Sequence, residues 1–246
     1  MQINKIFNHS SESMHELRDN SVHLIITSPP YNANVGYDSY DDSRPFDEYR
    51  DMLKRVWKEC FRVLVDGGRI AVNVCAIGKK PYTPLQAFVT VDMIEIGFEM
   101  RSEIIWNKDP SIKNSTMWGS YCSATAPVVR EEHEYILVFH KHDFKREKNG
   151  ESTIQPLKFK DCAKSVWNIG AVQGTKIGHP APFPVELPRR LIQFYSFTHD
   201  IVLDPFIGSG TTALAAKELG RNWLGYEVSQ EYVNLANDRL RQEMLF

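Results

Sequence analysis

The feature that most constrains the fold is a glycine-rich turn, DPFIGSGTT, at residues 204–212. The turn follows a short apolar run at 201–203 and opens a predicted helix at 211–219. A strand at 222–226 and a last helix at 232–240 are predicted after it. Because strands and helices alternate at these lengths, the pattern predicts an α/β doubly wound sheet with the turn at the carboxyl edge.

The first half of the chain shows the same alternation. Residues 22–26 form an apolar run that ends at two prolines, as expected for a buried parallel strand. An amphipathic helix is predicted from Pro45 to Leu64, with Gly67 and Gly68 as its stop. The remaining predicted elements are strands at 69–74, 98–106 and 134–140 and helices at 83–97 and 187–195.

Composition narrows the class of protein. The 246 residues, 42% of them apolar, can bury one sizeable core, so one domain over 1–246 is expected. With 29 basic and 31 acidic residues, a polyanion must be held by a local basic face. The N-terminus lacks a signal sequence and no run reaches the roughly 20 apolar residues of a membrane span, which predicts a cytoplasmic protein. The four cysteines show no metal-binding spacing, so neither a disulfide nor a metal is expected.

The glycine-rich turn has the features of a ligand cradle. Gly208 and Gly210 let the backbone approach a ligand, and the helix start offers unpaired N–H groups. Asp204 ends the preceding strand, where a carboxylate can hold a cationic amine. Glu227 closes the next strand, where dinucleotide folds bind ribose hydroxyls. The lysine of a phosphate-binding loop is absent, so the turn predicts a nucleoside ligand that carries an ammonium group; the alternative is a purely structural turn.

A second motif, TSPPYN at residues 27–32, ends the strand predicted at 22–26 and so lies at the same edge. Neither proline donates an N–H, so the backbone carbonyls can face a ligand as rigid acceptors. Ser28 Oγ and the Pro29 carbonyl can accept both hydrogens of a planar amine, which favours a pyramidal nitrogen with an exposed lone pair. Tyr31 can stack on the ring that carries the amine. The alternative is a rigid proline turn with a core tyrosine.

Together the two motifs resemble those of the S-adenosylmethionine-dependent DNA amino-methyltransferases. That family has Asp, Asn or Ser before two prolines and an aromatic residue, and a cofactor motif written D-P-F-x-G-S-G-T. The catalytic motif comes first here, as in the β arrangement of the family. The resemblance implies a mostly parallel seven-stranded sheet with one reversed strand and a circularly permuted motif order. Residues 3–17 resemble the strand and turn that follow the last helix in an unpermuted member.

The resemblance also assigns site residues. It implies that S-adenosylmethionine is bound by Asp204, Pro205, Phe206, Gly208, Ser209, Gly210, Thr211, Thr212, Glu227, Val228, His179 and Phe183. The catalytic residues it implies are Ser28, Pro29, Pro30 and Tyr31, and it implies no metal. Two positions depart from the family. Asn8 replaces an Asp near the adenine ring, and Phe183 replaces a Lys found in many adenine-modifying members.

The target base is indicated by resemblance alone. Ser28 and the segment HPAPFP at 179–184 are similar to the N4-cytosine members, so we predict methylation of cytosine N4 in double-stranded DNA with the target base flipped. The alternatives are N6-adenine methylation, methylation of RNA or a protein amide, and a cofactor-binding DNA-binding regulator without catalysis. The intact SPPY motif argues against the last. A homodimer and a cognate restriction endonuclease are compatible with this interpretation, but no residue selects either.

Sequence recognition is predicted for two insertions, about 107–132 with Trp118 and Tyr121, and 141–178. The basic residues predicted to contact phosphates or bases are Arg130, Lys145, Arg146, Lys148, Lys158 and Lys160. The polar loop at 32–44, with Tyr37 and Tyr40, is predicted either to close on the flipped base or to be an ordinary surface loop.

Overall fold

A computed structural model describes residues 2–32, 44–78, 81–108, 119–129, 131–172 and 183–242. The strands are β1 Lys5–Phe7, β2 Val22–Thr27, β3 Leu64–Val74, β4 Phe98–Asn107, β5 His133–Lys141, β6 Val166–Asn168, β7 Ile201–Asp204 and β8 Asn222–Tyr226. The helices are α1 Phe46–Val63, α2 Leu85–Ile96, α3 Pro156–Cys162, α4 Glu186–Tyr195, α5 Thr211–Glu218 and α6 Gln230–Gln242. Strands and helices therefore alternate as the sequence predicts.

The strands form one sheet in the order β1-β8-β7-β2-β3-β5-β4-β6. Within these described strands, β5 alone runs antiparallel to its neighbours, β3 and β4. The predicted doubly wound, mostly parallel sheet with one reversed strand is confirmed. One short strand, β6, extends it beyond the seven strands expected, pairing with the end of β4. Three residues are too few to show a periodic pattern in the sequence.

The N-terminal strand completes the edge of the sheet. β1 lies parallel to β8, with Phe7 opposite Tyr226. The rings of these two residues stack with centroids 5.1 Å apart. The first strand of the chain thus lies beside the last, which is the arrangement that a circularly permuted motif order requires.

Helix α1 forms because its apolar residues recur on one face, which the sheet buries. The buried residues of that face are Tyr49, Met52, Leu53, Val56, Trp57, Cys60 and Val63. The predicted stop at Gly67 and Gly68 is wrong, because the helix ends at Val63 and both glycines lie within β3. Gly67 has φ +68°, and a Cβ there would lie 2.8 Å from the Arg146 Cα. The glycine is needed for this close approach of two backbone segments.

The sheet separates two apolar cores. On one face Ile25 and Leu203 pack with α1 and α2. On the other face Leu24, Ile26 and Val202 pack with residues of α4, α5 and α6. Both faces of the sheet are therefore covered, and the edge where β2, β7 and β8 end is where folds of this kind bind ligands. Within the described ranges, no helix is long and apolar enough to span a membrane.

The prediction that Arg146 contacts DNA is wrong, because the structure buries this side chain against Asp200. Its Nη2 lies 2.7 Å from Asp200 Oδ2, and both side chains are at most 3% exposed. The guanidinium also lies over the Phe197 ring, 4.7 Å from its centroid. Burial keeps this cation from any phosphate, and a buried charge must stay paired. Arg146 therefore holds the segment after β5 against the residue that precedes β7.

Candidate functional site

The two motifs meet through Asp204, the last residue of β7. Thr27 Oγ1, at the end of β2, donates a hydrogen bond of 2.8 Å to Asp204 Oδ1. Thr212 Oγ1, in the first turn of α5, donates one of 2.6 Å to Oδ2. The Phe206 amide donates to Oδ1 at 3.1 Å. The carboxylate thereby joins the strand that carries the catalytic motif to the glycine-rich turn.

Asp204 is a buried carboxyl, only 1% exposed. Burial raises its pKa to about 6, although the hydrogen bonds from Thr212, Thr27 and the Phe206 amide oppose that shift. A nearby cation would stabilise the ionised form of such a buried carboxyl. The structure thus gives Asp204 two properties that suit a cationic ligand: a fixed position and an incompletely stabilised charge.

Part of the glycine-rich turn faces the protein. Gly210 has φ +82°, and a Cβ there would lie 2.9 Å from the Ala236 Cβ on α6. Ser209 Oγ and Thr211 Oγ1 both accept from Arg239 Nη1, at 2.9 and 3.4 Å. These three residues fix the turn against α6. Sequence reasoning assigned them to ligand contact and did not detect this packing role.

Glu227 lies across the turn, at the end of β8. Its Oε2 accepts from the Gly208 amide at 3.0 Å, and its Oε1 accepts from the Ser229 amide at 2.9 Å. Burial raises the pKa of this carboxyl, while the two amides act in the opposite direction. Asn8 Nδ2 donates to the Glu227 and Val228 carbonyls at 2.9 and 3.2 Å. The β1 and β8 ends are thus tied together beside a positioned carboxylate.

The catalytic motif forms a half-buried turn after β2. Ser28 Oγ and Tyr31 OH share a hydrogen bond of 2.8 Å. Tyr49 OH, from α1, donates to the Pro30 carbonyl at 2.7 Å. Both ends of the proline pair are therefore anchored, which keeps the backbone of the turn rigid. Ser28 remains partly accessible at the sheet edge.

Two residues that sequence reasoning missed hold Tyr31, and a third, Lys108, pairs with one of them. Tyr31 OH donates to Glu134 Oε2 at 3.1 Å and accepts from Asn73 Nδ2 at 3.0 Å. Lys108 Nζ lies 2.5 Å from Glu134 Oε1. Burial, followed by the Glu134 charge, raises the pKa of Tyr31 well above its usual value, so the ring keeps its hydroxyl proton.

The direction of these hydrogen bonds determines what Ser28 can do. The Glu134 carboxylate, which is paired with Lys108, and the Asn73 carbonyl, 3.3 Å from the Tyr31 hydroxyl, both only accept, so Tyr31 directs its phenolic hydrogen to them. Tyr31 then accepts from Ser28, whose lone pairs stay open towards the edge of the sheet. The reversed strand β5 makes this possible, because it begins where the parallel strands end and so brings Glu134 to the same edge.

Other predicted residues contribute less to this site. Phe206 lies at its base, 6.3 Å between ring centroids from Trp57. Val228 is 43% exposed beside Glu227, and Phe183 packs on the second core. Pro205 and Pro29 are buried. His179, Tyr37, Tyr40, Trp118 and Arg130 lie outside the described residues.

Comparison with known proteins agrees with this geometry. Residues 22–238 match the DNA methylase family model. The type II methyltransferase M.MthZI of Methanothermobacter thermautotrophicus is 31% identical over 98% of this chain and 77% of its own. The DNA adenine methyltransferase YhdJ of Escherichia coli K12 is 30% identical over 89% of this chain and 76% of its own.

A solved structure matches the whole arrangement. TTHA0409 of Thermus thermophilus, determined in complex with S-adenosyl-L-methionine, superimposes with a TM-score of 0.78 and 31% identity. The match covers 97% of this chain and 93% of the other. The chain belongs to the DNA methylase family, the S-adenosylmethionine-dependent amino-methyltransferases of DNA in their β arrangement.

Proposed function

We propose that this methyltransferase modifies the exocyclic N4 of cytosine in double-stranded DNA, with the target base flipped into the turn at Ser28. The observation that carries the proposal is the chain of hydrogen bonds from Ser28 through Tyr31 to Glu134, which leaves the Ser28 lone pairs open. Those lone pairs and the Pro29 carbonyl accept the two amine hydrogens. Cytosine is preferred because Ser28 and the HPAPFP segment resemble the N4-cytosine members.

The residues of the turn act on the amine by position and charge. S-adenosylmethionine, when bound, supplies a methyl group on a sulfonium. Ser28 and Pro29 hold the amino nitrogen pyramidal, so that its lone pair forms the new N–C bond as the C–S bond breaks. Ser28 is too weakly basic to deprotonate the amine first, so the methylated nitrogen carries the extra proton and releases it to solvent water after transfer. The Tyr31 ring, fixed through its hydroxyl, stacks on the base.

The cofactor is proposed to lie between Asp204 and Glu227. Asp204 favours the cationic amino acid part, and each Glu227 oxygen keeps lone pairs for a ribose hydroxyl beyond its one amide donor. Glu227→Ala should weaken cofactor binding about tenfold or more, because the ribose and the Gly208 amide both lose an acceptor. Calorimetry measures this, with the exposed Glu231→Ala as control; an unchanged dissociation constant would reject the ribose assignment.

The DNA-recognition proposal rests on where the two insertions leave the sheet. β4 and β6 end in register, with Asn107 opposite Asn168, and Trp106 Nε1 donates to the Ile169 carbonyl at 2.7 Å. The first insertion, and the part of the second that follows β6, therefore start beside Glu134 and the catalytic turn. The second insertion begins after β5, at the opposite edge of the sheet. Within them Tyr121 is 78% exposed, and Lys145, Lys148 and Lys160 are exposed. Lys145 and Lys148 follow β5 at the edge opposite the catalytic turn, so they could contact only phosphates that lie away from the target base.

One candidate DNA contact is already paired within the protein. Lys158 forms an ion pair with Glu186, so its charge is partly compensated. The homodimer and the cognate restriction endonuclease stay predictions, to be tested by sizing the protein and by co-expression with neighbouring genes.

N6-adenine methylation is the second candidate, favoured by the likeness to the adenine methyltransferase YhdJ. One experiment separates the two. The enzyme is incubated with radiolabelled S-adenosylmethionine and mixed-sequence duplex DNA, and the DNA is digested to nucleosides. Label in N4-methyldeoxycytidine supports the proposal, and label in N6-methyldeoxyadenosine replaces cytosine with adenine. Transfer only to RNA or protein would reject DNA as substrate.

A further inference from the structure

Three side chains of types that often ligate metals, His9, His15 and Glu16, lie close together after β1 and beside the end of β8. His9 Nε2 lies 2.5 Å and His15 Nε2 lies 3.3 Å from the same oxygen, Glu16 Oε1. The two imidazole rings stack with centroids 5.5 Å apart and planes 17° from parallel. Within the described ranges, this is the one group of three such side chains whose ligand atoms all lie within 4.8 Å.

The remaining polar atoms of the cluster are already held by the protein. His9 Nδ1 lies 3.0 Å from the Ser10 carbonyl, which only accepts, so Nδ1 carries a hydrogen. Tyr226 OH donates to Glu16 Oε2 at 3.1 Å. Metal-binding histidines and carboxylates in proteins usually have such partners on the atom that does not bind the metal. Here those atoms are His9 Nδ1 and Glu16 Oε2, so His9 Nε2 and Glu16 Oε1 are the atoms that would bind an ion.

The three ligand atoms are close enough for one ion to reach them all. His9 Nε2, His15 Nε2 and a Glu16 oxygen lie within 4.8 Å of one another. A single divalent ion between them would bind two neutral imidazole nitrogens and one carboxylate oxygen at once.

The backbone that carries these side chains is fixed. The Met14 amide donates to Glu59 Oε2 at 2.6 Å, and Arg62 donates to the Met14 and Leu17 carbonyls, both at 2.9 Å. Met14 and Leu17 are buried on either side of His15 and Glu16. Ligands on a rigid backbone lose little entropy when an ion binds.

We propose that His9, His15 and Glu16 form a binding site for a divalent transition-metal ion, with Zn²⁺ the best match. Two imidazoles and one carboxylate suit Zn²⁺ and Ni²⁺, whereas Mg²⁺ and Ca²⁺ prefer oxygen ligands. Neighbouring ligand atoms of a tetrahedral zinc lie roughly 3.3 Å apart. The His15–Glu16 distance already has that value, and the His9–Glu16 pair reaches it by opening less than about 1 Å. The exposed His15 ring must also turn out of its stack on His9, because an imidazole binds a metal in the plane of its ring.

The site departs from the sequence-based expectation of no metal, because these residues lack a standard spacing. A bound ion would link His9 and His15 to Glu16, which accepts a hydrogen bond from Tyr226. This is next to Asn8 and Glu227. It would therefore stabilise the fold at this edge, whichever base the enzyme methylates.

The test is calorimetric titration of the chelator-treated full chain with ZnCl₂, and separately with NiCl₂. We expect one ion per chain, and a loss of affinity of about tenfold or more in His15→Ala and in Glu16→Gln. The His15 side chain is 72% exposed, so that variant keeps the core intact. The matched control is His142→Ala, which removes an exposed histidine paired with Asp66 and should leave binding unchanged.

A second measurement is the melting temperature. Zn²⁺ should raise it in the unaltered protein and in His142→Ala, and not in the two ligand variants. Three outcomes would overturn the proposal: no binding to the unaltered protein, ligand variants that bind as tightly as the unaltered protein, or binding that is abolished by Cys122→Ser, which would assign it to an exposed thiol. In each case the cluster is an ordinary histidine–glutamate ion pair.

Discussion

The turn that carries Ser28 to Tyr31, here the catalytic turn, and the glycine-rich turn at 204–212, here the cofactor turn, lie at the same sheet edge. They are held by different kinds of contact. The cofactor turn is held by near and distant residues together: Asp204 binds the Phe206 amide and the Thr212 hydroxyl, two and eight residues away, and Thr27 Oγ1, 177 residues away. In the catalytic turn Ser28 binds Tyr31, but the Tyr31 hydroxyl is held by side chains from β3 and β5, Asn73 and Glu134, 42 and 103 residues away. A local motif can thus encode much of a binding cradle, whereas the orientation of the Tyr31 hydroxyl has to be set by the fold.

The largest effect should come from the acceptor itself. Ser28→Ala removes one of the two proposed acceptors of the amine hydrogens, and methyl transfer should fall about 100-fold. Cofactor binding should be nearly unchanged, because Thr27 still joins the turn to Asp204. Single-turnover transfer from labelled cofactor to duplex DNA measures the first quantity, and calorimetry the second.

The matched control is Ser10→Ala, an exposed serine outside both turns, which should retain full activity. Turnover of Ser28→Ala equal to that of the control would remove Ser28 from the mechanism and leave the Pro29 carbonyl as acceptor.

The contrast between the turns also explains what the sequence could predict. The doubly wound sheet, the reversed strand and the meeting of the two motifs follow from alternation, apolar runs and resemblance, whereas the order of the strands within the sheet was not predicted. Asn73 and Glu134 gave no signal, because each is an ordinary polar residue at one end of an apolar run, and only the reversed β5 brings Glu134 to the edge. Arg146 misled for a related reason, since a basic residue in a polar segment gives no sign that Asp200 buries it.

The next effect tests the long-range anchor. Glu134→Gln removes the charge that takes the Tyr31 hydrogen and pairs with Lys108, so Tyr31 can turn its hydrogen towards Ser28. One Ser28 lone pair is then occupied, and kcat should fall about tenfold while the cofactor dissociation constant stays the same. The exposed Glu103→Gln on β4 is the control. If both variants keep full kcat, the anchor does not orient the acceptor.

Protein stability and cofactor affinity should both depend on pH through Asp204 in the cofactor turn. The pKa of Asp204 is raised to about 6, so its ionised fraction grows as pH rises through that value. Ionising it inside the fold costs stability, which should decline from about pH 4 to about pH 6. A cationic cofactor prefers the ionised form, so its affinity should increase up to about tenfold between about pH 5 and about pH 7.

Asp204→Asn should remove most of that pH dependence of the dissociation constant. A smaller part should remain, since burial also raises the pKa of Glu227. A profile that is equally steep in Asp204→Asn would show that the proton is bound elsewhere.

The smallest effect separates two reasons for glycine in the cofactor turn. Gly210 and Gly220 both have positive φ, at +82° and +70°, but a Cβ at Gly210 would lie 2.9 Å from Ala236 whereas nothing lies within 4 Å of one at Gly220. Gly220→Ala should cost about 1 kcal/mol of unfolding free energy, the conformational penalty alone. Gly210→Ala should cost about 1 kcal/mol more, because α6 must shift. Urea unfolding measures both. Equal losses would mean that the turn has room for a side chain, and that its glycine serves the cofactor rather than the packing of α6.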